Sequence, residues 1–325
     1  VVPRKAFQAD VGRFRKDFLA SRTPVFVAHI ASSDGLLHVT KMNEAESLLA
    51  EFENAVREIY LDARGNLGVI VFSDHGNTLT RSNPAPVEAL LARRGWRVRD
   101  SLDGPRDVVV PSYGLVAFAA IYCRPEAVET LAEDLRGVEG ADVIVSGHVQ
   151  GDPDSLDGLT AGSAAIIRAA ASTASAELAW SADGKRYRYT ARDGDPLGLV
   201  LVFDSLRVAG KLDAEGFASD ADLFAATSSA VFPDSAARIR AWATNHVRNS
   251  ADILVSLKPG YYHGVPSFGH VVSLAGTHGG LEKSASLGFA MATYPLAPAT
   301  RLSDLIPANL RKSVSKIKAQ LGVAP

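Results

Sequence analysis

Cysteine is almost absent. Among 325 residues only Cys123 is one, so no intramolecular disulfide can form, and cysteine usage neither requires nor excludes an oxidising compartment. A surplus of either charge is missing as well. The 34 basic and 36 acidic side chains leave a formal net charge of −2. No overall positive field holds a polyanion by counterion release, so nucleic acid is not expected as a main partner. The longest apolar run, Val108 to Cys123, is interrupted by Pro111, Ser112 and Gly114. It is shorter than the roughly 18–20 residues that cross a bilayer, so no transmembrane segment is expected. Four chemical signatures are lacking: the Gly-x-x-x-x-Gly-Lys-Ser/Thr phosphate loop, Gly-x-Gly-x-x-Gly, His-Glu-x-x-His and Gly-x-Ser-x-Gly. ATPase, dehydrogenase, zincin and serine-esterase chemistry therefore have no support. Val1-Val2-Pro3-Arg4-Lys5 has no initiator Met and no charged-then-apolar layout. Any targeting segment is expected upstream, and the chain is expected to be a fragment.

What is present is 47% apolar residues, enough for a substantial core, in a length that suggests two domains or one domain with an insertion. Phe7, Val11, Phe14, Phe18 and Leu19 form a helical stripe that ends at Thr23-Pro24. Val25 to Ile30 then reads as a buried strand with His29 as a core side chain. Met42, Ala45, Leu48, Leu49, Phe52, Val56 and Ile59 mark an amphipathic helix, with Thr40 as its candidate cap. Leu67 to Phe72 is a continuous apolar run, as expected of a parallel strand covered on both faces. Helices and strands in this order predict an α/β core with a mostly parallel sheet sandwiched by helices. From about residue 105 the texture changes. Strands at Leu115 to Cys123 and Ala141 to Ser146 flank a helix at Pro125 to Leu135, and a hairpin turns at Ala182-Asp183-Gly184. The expected organisation is a core over 1–104, an α+β insertion over 105–233, and a return to the core over 234–325. In that last part Ser235 to Val247 reads as helix, Asp252 to Leu257 as buried strand and Ser303 to Leu321 as a closing helix.

Ligand-type residues cluster at three places. Ser73-Asp74-His75-Gly76 follows the apolar run, so Asp74 and His75 leave the end of a predicted strand, where ligand sites of open α/β sheets lie. Taken alone, Asp74 reads equally well as a cap and His75 as a loop histidine. Asp34 and His38 stand four positions apart, and one turn of helix aims both at one ion. Their plainer reading is an N-cap aspartate and a surface histidine. Downstream, Gly276-Thr277-His278-Gly279-Gly280 gives His278 small neighbours that leave room for a close ligand. Nitrogen and carboxylate donors together suit zinc, whereas calcium or magnesium prefers oxygen alone. His263 and His270, with Tyr261 or Tyr262, are candidates to line a pocket, though packing at the core edge accounts for them as well. Asn77 and Thr78 are candidates to support the ligands, and His148 and His246 have no supporting context.

Asp34-x-x-x-His38, then Ser73-Asp74-His75-Gly76, then Thr277-His278-Gly279, in this order, resemble the alkaline phosphatase superfamily, and within it the type I phosphodiesterase and nucleotide pyrophosphatase branch. Phe232-Pro233-Asp234, Asp252 to Val255, Gly260-Tyr261 and Gly288 to Thr293 resemble weaker segments of that branch. The resemblance implies two zinc ions, with Asp34, His38 and His278 on one and Asp74 and His75 on the other. It implies a small-molecule phosphoester as substrate, clamped between two metals, one activating a Thr or Ser nucleophile and the other stabilising the leaving oxygen. Export is frequent among proteins of this kind, but the residues themselves fix no compartment. The family pattern places an aspartate ligand and the nucleophile upstream of Asp-x-x-x-His. Here Asp10 lies in a helix and neither Ser21 nor Thr23 follows a suitable turn, so no nucleophile is assigned. The sequence thus predicts a phosphodiesterase-type hydrolase, poorly active as these residues stand. The alternatives are a non-catalytic metal-binding protein on the same scaffold, and a phosphomutase or phosphonate hydrolase.

Overall fold

The computed structural model describes residues 2–40, 42–148, 164–244, 249–265 and 273–305. The chain forms two units, one from Val1–Asp74 with Gly288–Pro325, the other from His75–Leu287. These limits differ from the expected divisions at 104 and 233.

The first unit is mainly helical. Helices α1 (Val2–Ala20), α2 (Ser32–Val39) and α3 (Met42–Asp62) carry the two stripes read from the sequence. Phe7, Leu36 and Leu48 meet in their small core, with Val11, Ile30 and Phe52 against it. Ser32 fastens the start of α2 to α1: its hydroxyl donates to Asp10 Oδ2 at 2.6 Å, and its amide to the same oxygen at 3.3 Å. The Ser32 hydroxyl hydrogen bond holds the Asp10 carboxyl below its ordinary range. Thr40 ends α2 in an extended conformation. The expected strand Val25 to Ile30 is not formed. Val27 is 71% exposed and His29 is also exposed, so His29 is not a core side chain. Phe26 accounts for the apolar signal differently: its ring packs on Phe14 and edge-on against Phe18 of α1. The run Leu67 to Phe72, expected as a parallel strand covered on both faces, is strand only at β1 (Ile70–Phe72); this pairs antiparallel with β14 (Ala290–Ala292) and leaves Phe72 exposed. The closing helix is described only as α10 (Leu302–Leu305); the rest of Ser303 to Leu321 lies outside the described residues.

The second unit is built on a seven-stranded sheet in the order β11-β10-β9-β8-β7-β12-β6. Its strands are β6 (Phe118–Ile121), β7 (Ala141–His148), β8 (Ala164–Ala169), β9 (Ser175–Trp180), β10 (Arg186–Ala191), β11 (Ala218–Ser219) and β12 (Ile253–Leu257). Every pairing in it is antiparallel, so the protein is a mixed α/β fold whose main described sheet is not the parallel one expected. The sequence misled for a physical reason. Helices α4 (Val87–Arg93) and α5 (Val128–Asp134) cover one face, while α6 (Val200–Val208), α7 (Asp220–Thr227) and α8 (Ser235–Ala243) contribute to the other core. Ile144 of β7 points into the first core, and its neighbours Val143 and Val145 into the second. An antiparallel strand covered on both faces needs the same unbroken apolar run as a parallel one. The strand expected to resume the core, β12, lies between β6 and β7, with Ile253 opposite Ile121 on one side and Ser146 on the other. Beside β12, the Cys123 amide donates to Asp252 Oδ2 at 2.8 Å, and burial pushes the thiol up to about 12. No described helix is long and apolar enough to cross a membrane.

Two small ladders complete this unit. Arg97–Val98 (β3) runs parallel to Asp107–Val108 (β4). Tyr261–Gly264 (β13) lies between Asn83–Pro84 (β2), parallel to it, and Leu115–Val116 (β5), antiparallel to it. The second of these ladders, with the turn α9 (Lys283–Ser286), holds the loops that carry the histidines of interest.

Candidate metal centre

In the first unit, the four-residue spacing of Asp34 and His38 has the consequence read from the sequence. Both lie on α2, and Asp34 Oδ1 is 3.5 Å from His38 Nε2. Two donors each about 2.0–2.1 Å from a tetrahedral zinc stand about 3.3 Å apart, so this pair is spaced as one edge of such a site. The His38 ring is buried, whereas the Asp34 carboxyl is half exposed. Asp74, exposed, is the last residue of the first segment of this unit. The preceding Ser73 is fixed to Phe289 by two bonds: its amide donates to the Phe289 carbonyl, and its hydroxyl accepts from the Phe289 amide, both at 3.0 Å.

In the second unit, His75 and His278 come together from opposite ends of the sequence. Their rings stack with centroids 3.7 Å apart and planes within 12°. Nδ1 of His75 is 2.9 Å from the carbonyl oxygen of Gly76. A carbonyl only accepts, so in this contact Nδ1 is the donor. A backbone acceptor commonly orients metal-binding histidines in this way.

The backbone makes this meeting possible. The Gly76 amide donates to the Ser286 carbonyl at 3.2 Å. A side chain at Gly76 would stand 2.6 Å from the Leu287 carbonyl oxygen and 2.7 Å from that of Ser284, so this turn admits only glycine without rearrangement. Two threonines join the loops. The Thr78 amide donates to the Thr277 carbonyl at 2.8 Å, and the Thr277 amide donates back to Thr78 Oγ1 at 3.1 Å. The Thr277 hydroxyl, fully buried, donates to the Leu115 carbonyl at 2.6 Å, and the Ala117 amide donates to the His278 carbonyl, also at 2.6 Å. His278 is thereby sewn beside the end of β5.

Thr78 thus ties its loop to that of His278, whereas Asn77 turns inward on its own loop and accepts from the Leu79 amide. Thr277 was missed as a support: it was quoted only as part of a motif, and its sole sequence signal is its place beside His278. His263 belongs to a separate buried contact, with Nε2 3.0 Å from Glu88 Oε1. Burial alone would raise the Glu88 carboxyl, but the hydrogen bond and charge of His263 hold it below its ordinary range. The Tyr261 hydroxyl donates to Glu139, and Tyr262 is buried. His246 and His270 lie outside the described residues, as does the side chain of His148.

No protein family, curated protein or solved structure matches the chain.

Proposed function

We propose that this protein is a zinc-dependent hydrolase of phosphoric esters, of phosphodiesterase or nucleotide pyrophosphatase type, acting on small-molecule phosphoesters. The observation that carries the reading is the stacking of His75 and His278, whose motifs are among the three that resemble the alkaline phosphatase superfamily. In this reading Asp34, His38, Asp74, His75 and His278 are zinc ligands, as the resemblance of their motifs implies. The donor chemistry fits: imidazole nitrogens and carboxylates are zinc ligands, and the Gly76 carbonyl orients the His75 ring. When bound, the two ions would stabilise charge on the attacking and leaving oxygens of an in-line displacement. The chain's own part is placement. Helix α2 spaces Asp34 and His38, and the exchange between Thr78 and Thr277 fixes the turn before His278. The finer fold assignment, an alkaline phosphatase-like core, is part of the same proposal.

Because no nucleophile is assigned, a non-catalytic metal-binding protein on the same scaffold is the second reading. Elemental analysis and zinc titration of the full chain, followed by hydrolysis of bis(4-nitrophenyl) phosphate, test both. Bound zinc with turnover that a chelator abolishes is the expected result. Zinc without turnover favours the second reading, and neither zinc nor turnover removes both. His75→Ala and His278→Ala should each lower zinc affinity by about 10–100-fold or more, since loss of supporting groups alone has effects of that size.

A further inference from the structure

A cavity of about 140 Å³ opens in the second unit next to the loop that carries His278. Phe118 and Leu254 from the sheet, Ile239 and Trp242 from α8, and Gly279 form much of its wall. Leu254 faces it because it lies between Ile253 and Val255, whose side chains enter the core on the other face of the sheet. The lining is mostly apolar, and its volume matches cavities of roughly 150 Å³ that hold one benzene ring. A nucleoside is too large for it.

Its polar groups are of one kind. Arg238 reaches it with a guanidinium held by three carbonyls: Nη1 donates to Pro233 at 3.3 Å and to Leu281 at 3.0 Å, and Nη2 to Gly280 at 2.7 Å. A guanidinium has five N–H bonds, so two remain among the described residues, and Asp234 adds a favourable charge interaction. Among the described residues no carboxylate lies within ion-pair distance of it. Trp242 Nε1 is buried and has no hydrogen-bond partner among the described residues. The Ser256 hydroxyl, also on the wall, already accepts from the Leu281 amide at 2.9 Å. A ring-sized apolar space with a cation and an unused N–H calls for a ring that brings an oxygen acceptor.

We infer that this cavity receives a single aromatic ring bearing an ester or phenolic oxygen, with Arg238 and the Trp242 indole as donors to that oxygen. That the ring is an ester group of a phosphoester substrate rests on the hydrolase reading above; the selectivity for a ring does not.

Calorimetric titration of the full chain without added zinc, using phenyl phosphate and methyl phosphate, tests this. Phenyl phosphate is expected to bind at least about 10-fold more tightly and to change tryptophan fluorescence. Trp242→Phe should remove the fluorescence change and weaken phenyl phosphate several-fold. Leu254→Trp, which fills the space, should abolish the preference. Equal affinities in the unaltered protein overturn the inference with no variant needed, as does a preference that survives Leu254→Trp in a folded protein. Zinc-loaded protein separates the two claims. Ring preference without diester turnover keeps the ring site and removes the hydrolase reading, whereas diester turnover with equal affinities for phenyl and methyl phosphate removes the ring site and leaves the hydrolase.

Discussion

Two six-residue apolar segments, Val25 to Ile30 and Asp252 to Leu257, look alike in the sequence and differ completely in the structure. The second contains β12, hydrogen-bonded to β6 on one side and β7 on the other, with Ile253, Val255 and Leu257 fully buried. The first joins no ladder, and it is held through Phe26, against the aromatic rings of α1, and Ile30, against the small helical core. Apolar β-branched residues state only that a segment prefers to be extended and covered. Whether it becomes a strand depends on partners that supply both the cover and the backbone hydrogen bonds.

The widest gap between the two segments should appear in amide hydrogen exchange. Amides of Ile253–Leu257 are expected to exchange only on opening of the sheet, and those of 25–30 at close to free-peptide rates, a difference of about 5 kcal/mol or more in opening free energy. Equal protection in the two segments would break the comparison. Truncation sharpens it. Ile253→Ala should destabilise the protein by about 2–5 kcal/mol in urea unfolding, whereas Val27→Ala should stay within about 0.5 kcal/mol. A smaller effect concerns the contact between Glu88 and His263. The Glu88 carboxyl is held below its ordinary value in the folded protein, so between the two values the unfolded chain binds more protons. The stability it contributes is complete above the ordinary glutamate range and is lost as pH falls through the depressed value. Glu88→Gln should therefore flatten part of the acid limb of a plot of unfolding free energy against pH, and an unchanged slope would count against that assignment.

Legibility followed the range of the interactions involved. Helices α1 and α3 and the hairpin of β9 and β10 were readable because their signals are local: a stripe at helical spacing, or alternation around a tight turn. Strand direction was not, because burial on both faces produces one pattern for two topologies. Among the candidate ligands, the spacing of Asp34 and His38 carried its own geometry, since a helix converts four residues into one turn. The meeting of His75 and His278 followed from motif order and resemblance, and no local pattern announced it. The groups that hold those loops, Thr277 and Gly76, left little trace, because a buried hydroxyl and a close backbone approach are properties of the fold rather than of a motif. Arg238 and Trp242 fell within a segment read only as helix.

The thiol of Cys123 gives the protein a built-in reporter. With its titration pushed up to about 12 by burial, the thiol is held in its unreactive protonated form at neutral pH, and the side chain is sealed beside β12 as well. A maleimide or iodoacetamide offered to the native protein will therefore couple only in those moments when this part of the sheet comes apart. The rate of mass gain is a clock for that breathing, set by one atom and free of interference from any other cysteine in the chain.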